Sequence, residues 1–333
     1  MGDPPYPVVT KPFGRALVDL AAARDDVVCL SGDLTRQTEV DLFRDTFPER
    51  FFNVGMAEQN MVGIAGGLAR DGFTVFVPTF GVFCTRRPFD QVAMAVGYPR
   101  LPVRLVGFMP GLSSPGGPSH QAVDDVALMR AVPNMTVLDV ADATEIRQAV
   151  FALADLPGPA YLRLKRGEIP VIFDDDHRLL LDRAQVLREG HDLTVVTAGM
   201  MLPASLAAAD VLAGRGVSTS VVHVPVVKPL DAATVLAACA HTRATVVAEN
   251  HSIVGGLGSA VAEALAEAGL GRPLRRVGVR DTYAEGGSAA HLFARYGLDV
   301  SDVVARAWEL LDLPGEPPRA ETVREPSGNL GPV

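Results

Sequence analysis

Two doubly wound α/β domains in succession are what this sequence predicts, and three observations carry the expectation. Short apolar runs closed by Gly, Asp or Pro alternate with longer stretches of helical periodicity, the pattern of parallel strands joined by crossover helices. The alternation is interrupted between Ile169 and Gly190, by Pro170, the acidic run Asp174-Asp175-Asp176 and Gly190, and then restarts. The length of 333 residues also exceeds what one core of this type usually holds.

In chain order, residues 1–12 form a Pro-rich lead-in, and Phe13 opens a helix running to Ala23. Val27-Val28-Cys29-Leu30 is a short buried strand ending in Ser31-Gly32-Asp33. Phe51-Phe52 is extended and runs into a turn at Asn53-Val54-Gly55, after which Met61, Ile64 and Leu68 recur at helical spacing over 57–70. Strands at 73–77, 103–108, 136–140 and 161–164, with helices near 86–96, 124–131 and 142–154, complete a first domain over 13–170. Residues 171–190 read as a linker. Strands at 193–198, 219–224, 244–249 and 275–279, with helices near 204–214, 231–240, 257–268 and 301–312, make a smaller second domain over 191–313. Residues 314–333 carry too little apolar content to offset the entropy of ordering and read as a flexible tail.

Composition narrows the class. The net charge is −9, from 30 Lys and Arg against 39 Asp and Glu, with no basic run, so nucleic acid is not the expected partner. The 3 cysteines lie far apart without a CxxC pair, so neither a disulfide framework nor a zinc site is expected, and no metal ligand is assigned to this chain. The N-terminus lacks an apolar signal core, and no apolar stretch reaches the roughly 18 residues of a membrane span. The expectation is a cytoplasmic protein with small-molecule and protein partners and no membrane contact.

Four stretches carry chemistry. Glu58 sits at a strand-to-helix junction among Met56, Ala57, Met61 and Val62, with glycines at 55, 63, 66 and 67. A carboxylate in a first helical turn serves the helix dipole, whereas one in an apolar setting is a candidate general acid or base; both readings stand. Phe80 and Phe83, at the end of a strand, are either core or a platform for a flat heterocycle, at the strand end where doubly wound sheets bind ligands. The loop PGLSSPGGPSH, from Pro110 to His120, is a shaped loop beyond a strand, and His120 is either solvated or a proton handler. Arg163-Leu164-Lys165-Arg166-Gly167 places guanidinium groups at a strand end, solvated or holding an anion. Gly256-x-Gly258 lacks the third glycine of a dinucleotide turn, with Val261 in its place, and reads as a tight turn onto a helix.

Taken in order, GMAE with its glycine-rich helix, PTFxxF…DQV, GGPSHQ…LMRAVPNMTV, LRLKRG, VKPLD, AENHSIVGGLGSAVAEAL and GVRDTYAEGGS resemble the C-terminal half of transketolases, thiamine-diphosphate enzymes, from about Phe13 to Leu313. The resemblance implies a pyrimidine-binding domain followed by the transketolase C-terminal domain. It implies that Glu58 hydrogen-bonds N1′ of the cofactor's aminopyrimidine and so favours the 4′-imino tautomer that removes the thiazolium C2 proton. It further implies that Phe83 stacks on the pyrimidine with Phe80 beside it, that Asp33 lies near the cofactor, that His120 faces the substrate, and that Arg166 binds its anion.

The family's GDG turn and following Asn, which hold Mg²⁺ and the diphosphate, are absent from the sequence, which begins at Met1 where fused transketolases are already complete in that half. The resemblance therefore implies a split transketolase whose partner is an N-terminal-half subunit holding Mg²⁺ and the diphosphate, in an α2β2 assembly acting on sugars in carbohydrate metabolism. Two departures touch the substrate. Phe108 stands where many transketolases carry a phosphate-binding His, and Gly116 stands four residues before His120, where they carry an Asp. With Arg166 as the one remaining anion contact, a phosphorylated acceptor should gain little. Related alternatives are the beta subunit of a 2-oxo-acid dehydrogenase, a deoxyxylulose-phosphate-synthase-like ligase, and a non-catalytic paralogue that only binds a partner.

Overall fold

The computed structural model describes residues 6–318; the expectations for 1–5 in the lead-in and 319–333 in the tail lie outside the described residues. The strands in chain order are β1 (Val8–Thr10), β2 (Val27–Ser31), β3 (Phe51–Asn53), β4 (Thr74–Phe80), β5 (Val103–Phe108), β6 (Thr136–Asp139), β7 (Ala160–Leu164), β8 (Glu168–Pro170), β9 (Gln185–Arg188), β10 (Leu193–Thr197), β11 (Thr219–His223), β12 (Val226–Lys228), β13 (Ala244–Ser252) and β14 (Leu274–Val279). A seven-stranded sheet runs β12-β6-β7-β5-β4-β2-β3 and a five-stranded sheet runs β14-β13-β10-β11-β9. Both are parallel apart from their antiparallel edges, β12 on β6 and β9 on β11. The α/β class and the parallel sheets are as the alternation predicts.

The inner strands form because they are largely apolar runs that can be buried on both faces, with Arg104 of β5 and Arg163 of β7 hydrogen-bonded inside. β4 and β5 are buried at every residue. Helices Pro12–Ala23 and Ala143–Ala154 cover one face of the larger sheet, with Phe13, Leu17, Val150 and Leu153 in its core. Helix Glu58–Arg70 covers the other, through Met61, Val62 and Ala65. After β2 the chain lays β3 on one side and β4 on the other. That reversal opens a crevice at the carboxyl ends of β2 and β4, where doubly wound sheets bind ligands.

Several elements escaped the sequence reading. β1 and β8 pair antiparallel, which ties the lead-in to the end of the first domain's last helix-free stretch. β9 lies inside the segment expected to be a linker and is an edge strand of the second sheet. β12 follows β11 closely in sequence yet joins the first sheet, so the second domain completes an edge of the first. Strands of three or four residues give too little periodicity to be read. Helices Asp41–Thr46 and Ala289–Tyr296 are likewise not predicted by the periodicity.

A buried carboxylate–imidazole cluster joins the two units. Glu145, fully buried on helix Ala143–Ala154, accepts from His223 Nε2 of β11 at 3.0 Å and lies 3.2 Å from His177 Nε2, whose ring stacks on Phe173. Burial alone would raise the Glu145 carboxyl, but the His223 charge and the two imidazole hydrogen bonds bring it down to about 2. The Gly256-x-Gly258 turn does open a helix, Leu257–Glu267, and the Glu249 carboxylate accepts from the N–H groups of Leu257 (2.7 Å) and Gly258 (2.9 Å). That carboxylate fills the anion position of the helix N-terminus from within the protein.

Candidate functional site

Glu58 is the first residue of its helix, yet its side chain is only 4% exposed. The turn that delivers it is pinned from the neighbouring strand. Asp33 N–H and Gly55 N–H both donate to Asn53 Oδ1 (3.2 and 3.0 Å), and Asn53 Nδ2 donates to Asp33 Oδ1 at 3.2 Å. Asp33 is exposed on the turn after β2 with φ +67°. Asn53, which the sequence reading treated only as a turn residue, thus joins the Asp33 turn to the Glu58 turn.

Glu58 Oε1 accepts from Arg87 Nη1 at 2.8 Å. The same guanidinium lies over Phe83, 3.9 Å from the ring centroid. Arg87 was not among the expected site residues. It follows Phe83 by one helical turn, a spacing that brings a side chain over its neighbour. Phe83 is half-buried and stacks on Phe80, with centroids 5.8 Å apart and planes at 28°. Phe80 itself is buried in the core, so it supports Phe83 from below and presents no free face. The His120 ring stands edge-on to Phe83 at 5.3 Å. Glu58 and Phe83, on the helices that follow β3 and β4, and His120, on the loop after β5, therefore converge.

The His120 loop also explains Gly116. A Cβ on Gly116 would lie 3.1 Å from His120 Cγ and 3.2 Å from Nδ1, so a side chain there would abut the imidazole. His120 Nδ1 instead lies 2.9 Å from Ser119 Oγ.

Two expectations about the anion need correction. Phe108 does not face this site: its ring is fully buried edge-to-face on Phe13, with centroids at 5.6 Å. β5 is covered on both faces, and Phe108 belongs to the face under helix Pro12–Ala23. Arg166 is not alone. With Arg36 and with Lys11, whose Nζ is paired to Asp41 Oδ2 at 2.5 Å, it lines a pocket of about 220 Å³ that also holds the carboxylates Glu39 and Glu168, together with Thr10 and Gln37. Arg166 Nη1 is buried and has no hydrogen-bond partner among the described residues. Burial lowers the Arg166 pKa, and the charge of Glu39 opposes that shift. Burial pushes the Glu39 carboxyl up to about 7, against its hydrogen bond from Gly14 N–H (3.0 Å) and the nearby Lys11. Arg163, in the same sequence stretch, is committed to structure. Its Nε donates to Asp125 at 2.8 Å and its Nη1 to Asp139 at 2.6 Å, all out of solvent.

Among the described residues no group of three His, Cys, Asp or Glu side chains is placed to hold a metal ion, and no helix is long and apolar enough to cross a membrane.

Comparison with known proteins gives the family. The transketolase pyrimidine-binding domain family matches residues 7–171, and the transketolase C-terminal domain family matches residues 182–303. The chain is 43% identical to an uncharacterized transketolase family protein of Sinorhizobium fredii, over 92% of this chain and 90% of that one. It is 40% identical to the 6-deoxy-6-sulfo-D-fructose transketolase subunit SqwH of a Clostridium species, over 89% and 92%. It is 34% identical to the 1-deoxy-D-xylulose-5-phosphate synthase of Pelotomaculum thermopropionicum, over 96% of this chain but 50% of that one. A solved structure described as a split-gene transketolase in an inactive β4 tetramer superposes with a TM-score of 0.85 at 41% identity, covering 91% of this chain and 98% of that chain.

Proposed function

Because this chain belongs to the transketolase family, in both its pyrimidine-binding and its C-terminal domain, we propose that it is the pyrimidine-binding subunit of a split, thiamine-diphosphate-dependent transketolase. The carrying observation is the arrangement of Glu58, Arg87 and Phe83. A planar N–H-bearing cation, the Arg87 guanidinium, satisfies the buried carboxylate at 2.8 Å and the Phe83 face at 3.9 Å at once. An aminopyrimidine that shares a proton with a carboxylate and stacks on a ring makes the same two demands, so these residues fit that group. Arg87 is 50% exposed and free to swing into solvent as the ring enters. Bound there, thiamine diphosphate supplies the carbon that carries a two-carbon ketol unit. Glu58 would hold the proton at N1′, Phe83 would orient the ring, and His120, beside Phe83, would pass or hold a proton at the substrate. Mg²⁺ would be held by the partner subunit's diphosphate half-site.

A partner subunit is part of the reading. The sequence has no GDG turn for the diphosphate, and exposed apolar side chains surround the Glu58 helix: Phe52, Met56, Met94 and Tyr98. The outward positions Gly63 and Gly67 of that helix have nothing within 4 Å of a built Cβ, so a second backbone can approach closely. An α2β2 assembly follows from the family's pairing of half-sites.

The buried Arg166 Nη1, without a hydrogen-bond partner among the described residues and with Arg36 lining the same pocket, supports sugar substrates with an anionic end, phosphate or sulfonate, in place of the unphosphorylated acceptor expected from Phe108 and Gly116. A deoxyxylulose-phosphate-synthase-like ligase is the second reading, favoured by the 34% identity to such an enzyme. The two part on the donor, a ketose against a 2-oxo acid.

Calorimetric titration with thiamine diphosphate and Mg²⁺ tests the subunit reading. The chain alone should bind far more weakly than micromolar, and the complex with a GDG-bearing partner should bind tightly and transfer a ketol unit from a ketose. Micromolar binding by the chain alone would sink it.

A further inference from the structure

The second domain holds the loop that carries His120, and it does so through groups with no other evident task. Asn250, on β13, is buried and turns its amide onto the start of the loop. Its Oδ1 accepts from Leu112 N–H at 2.9 Å, and its Nδ2 donates to Pro110 O at 3.0 Å. Gly111, between these residues, has φ +54°, and a Cβ there would lie 2.2 Å from both Asn250 O and Oδ1. The loop backbone is therefore pressed directly against Asn250. Further along, Gly287 N–H donates to Pro115 O at 3.2 Å, and Gln121 Nε2 donates to Glu285 O at 3.0 Å and to Ser114 O at 3.3 Å. Where the loop ends, Ser252 N–H donates to Val123 O at 2.7 Å. Within the loop's own domain, Gly111 N–H donates to Ala122 O at 2.9 Å and closes its base.

The loop is thus tied at its entry, its middle and its exit by β13 and by residues 285–287 of the other domain. Asn250 is not itself held for a structural purpose elsewhere: its side chain also touches Met200 Sδ at 3.5 Å, a weak acceptor, while its backbone O takes Arg163 Nη2 at 3.0 Å and serves the buried ion network. The amide group could be lost without breaking that network. Both of its strong hydrogen bonds go to main-chain atoms, so they fix the path of the loop whatever side chains the loop carries.

We infer that Asn250, with Gln121 as its counterpart in the loop, is a positioning residue for His120. The second domain acts in catalysis by fixing the loop that sets His120 against Phe83. This rests on the proposed role of His120, and the test separates the two ideas.

Asn250→Ala and Gln121→Ala are made in the full chain and assembled with the partner subunit. Hydrogen exchange of residues 111–121 should accelerate by about tenfold or more in each variant, while the amides of β5 and β7 stay as in the wild type. The kcat of ketol transfer should fall by about 10- to 100-fold, as expected when a reacting group is displaced by about an ångström, with the cofactor Kd changed less than about twofold. Asn250→Asp keeps the acceptor for Leu112 and loses the donation to Pro110, so its exchange and kcat should fall between wild type and alanine. Unchanged exchange in the loop would overturn the inference, as would a kcat loss matched by equal losses of cofactor affinity and thermal stability. If the wild-type complex transfers no ketol unit, the functional reading has failed, and the exchange measurement still decides whether Asn250 orders the loop.

Discussion

Replacing Glu58 by Gln separates a structural carboxylate from a chemical one. The amide is isosteric, and its oxygen can still accept from Arg87 Nη1, so the loss to the fold is the charge on one hydrogen bond. Arg87 is 50% exposed, which places this ion pair near the surface class, about 0.2–1 kcal/mol. In a chain of 333 residues such a loss moves Tm by less than about 2 °C. The effect on chemistry is of another size. A glutamine cannot share a proton with N1′ in the same way, and a positioned proton-transfer group typically contributes about 10²–10⁴-fold. The assay is exchange of the cofactor's C2 proton for deuterium, followed by NMR in the assembled complex, with Tm and cofactor Kd measured alongside. Exchange should slow by at least about a hundredfold while Tm and Kd hold. Wild-type exchange in a variant whose Tm has dropped would refute the reasoning and return Glu58 to the role of a helix-terminal residue.

Two further outcomes bear on the anion pocket. Burial raises Glu39 from an ordinary 4.5 to about 7, so the folded chain keeps this proton to higher pH than the unfolded chain does. Stability from this group is therefore highest below pH 4.5, falls as pH rises towards 7 and is level above it. The total is roughly 3 kcal/mol at about 1.36 kcal/mol per pH unit. Glu39→Gln should remove that slope, and denaturant midpoints for wild type and variant that stay parallel from pH 5 to 8 would contradict the assignment. Arg166→Leu should raise KM for a phosphorylated or sulfonated sugar by about 10- to 100-fold, the worth of one charge-assisted hydrogen bond, and leave KM for an uncharged analogue unchanged. Equal effects on charged and uncharged sugars would show that the pocket does not hold the anion.

The α/β class, the run of parallel strands and the places of Glu58 and Phe83 are legible in the amino-acid sequence. Each of those residues is fixed by a local rule: a strand ends, the chain turns, and the side chain stands at the carboxyl edge of the sheet whatever the rest of the molecule does. Orientation within a buried strand has no such rule. β5 is buried on both faces, Arg104 included, so nothing in its sequence says that Phe108 turns towards Phe13 and away from the site. Convergence across distant segments is equally silent. Arg36 and Arg166 line one pocket because β2 and β7 end on the same edge of one sheet, Lys11 joins them because β1 pairs with β8, and Asn250 reaches Leu112 across 138 residues because β13 packs against the turn at Gly111–Ser113. Local periodicity reports the face a residue belongs to, whereas the neighbour on that face is set by how whole sheets pack. That Arg166 shares a pocket with Arg36, and that an Asn of the second domain bonds the loop of the first, depends on how those sheets come together.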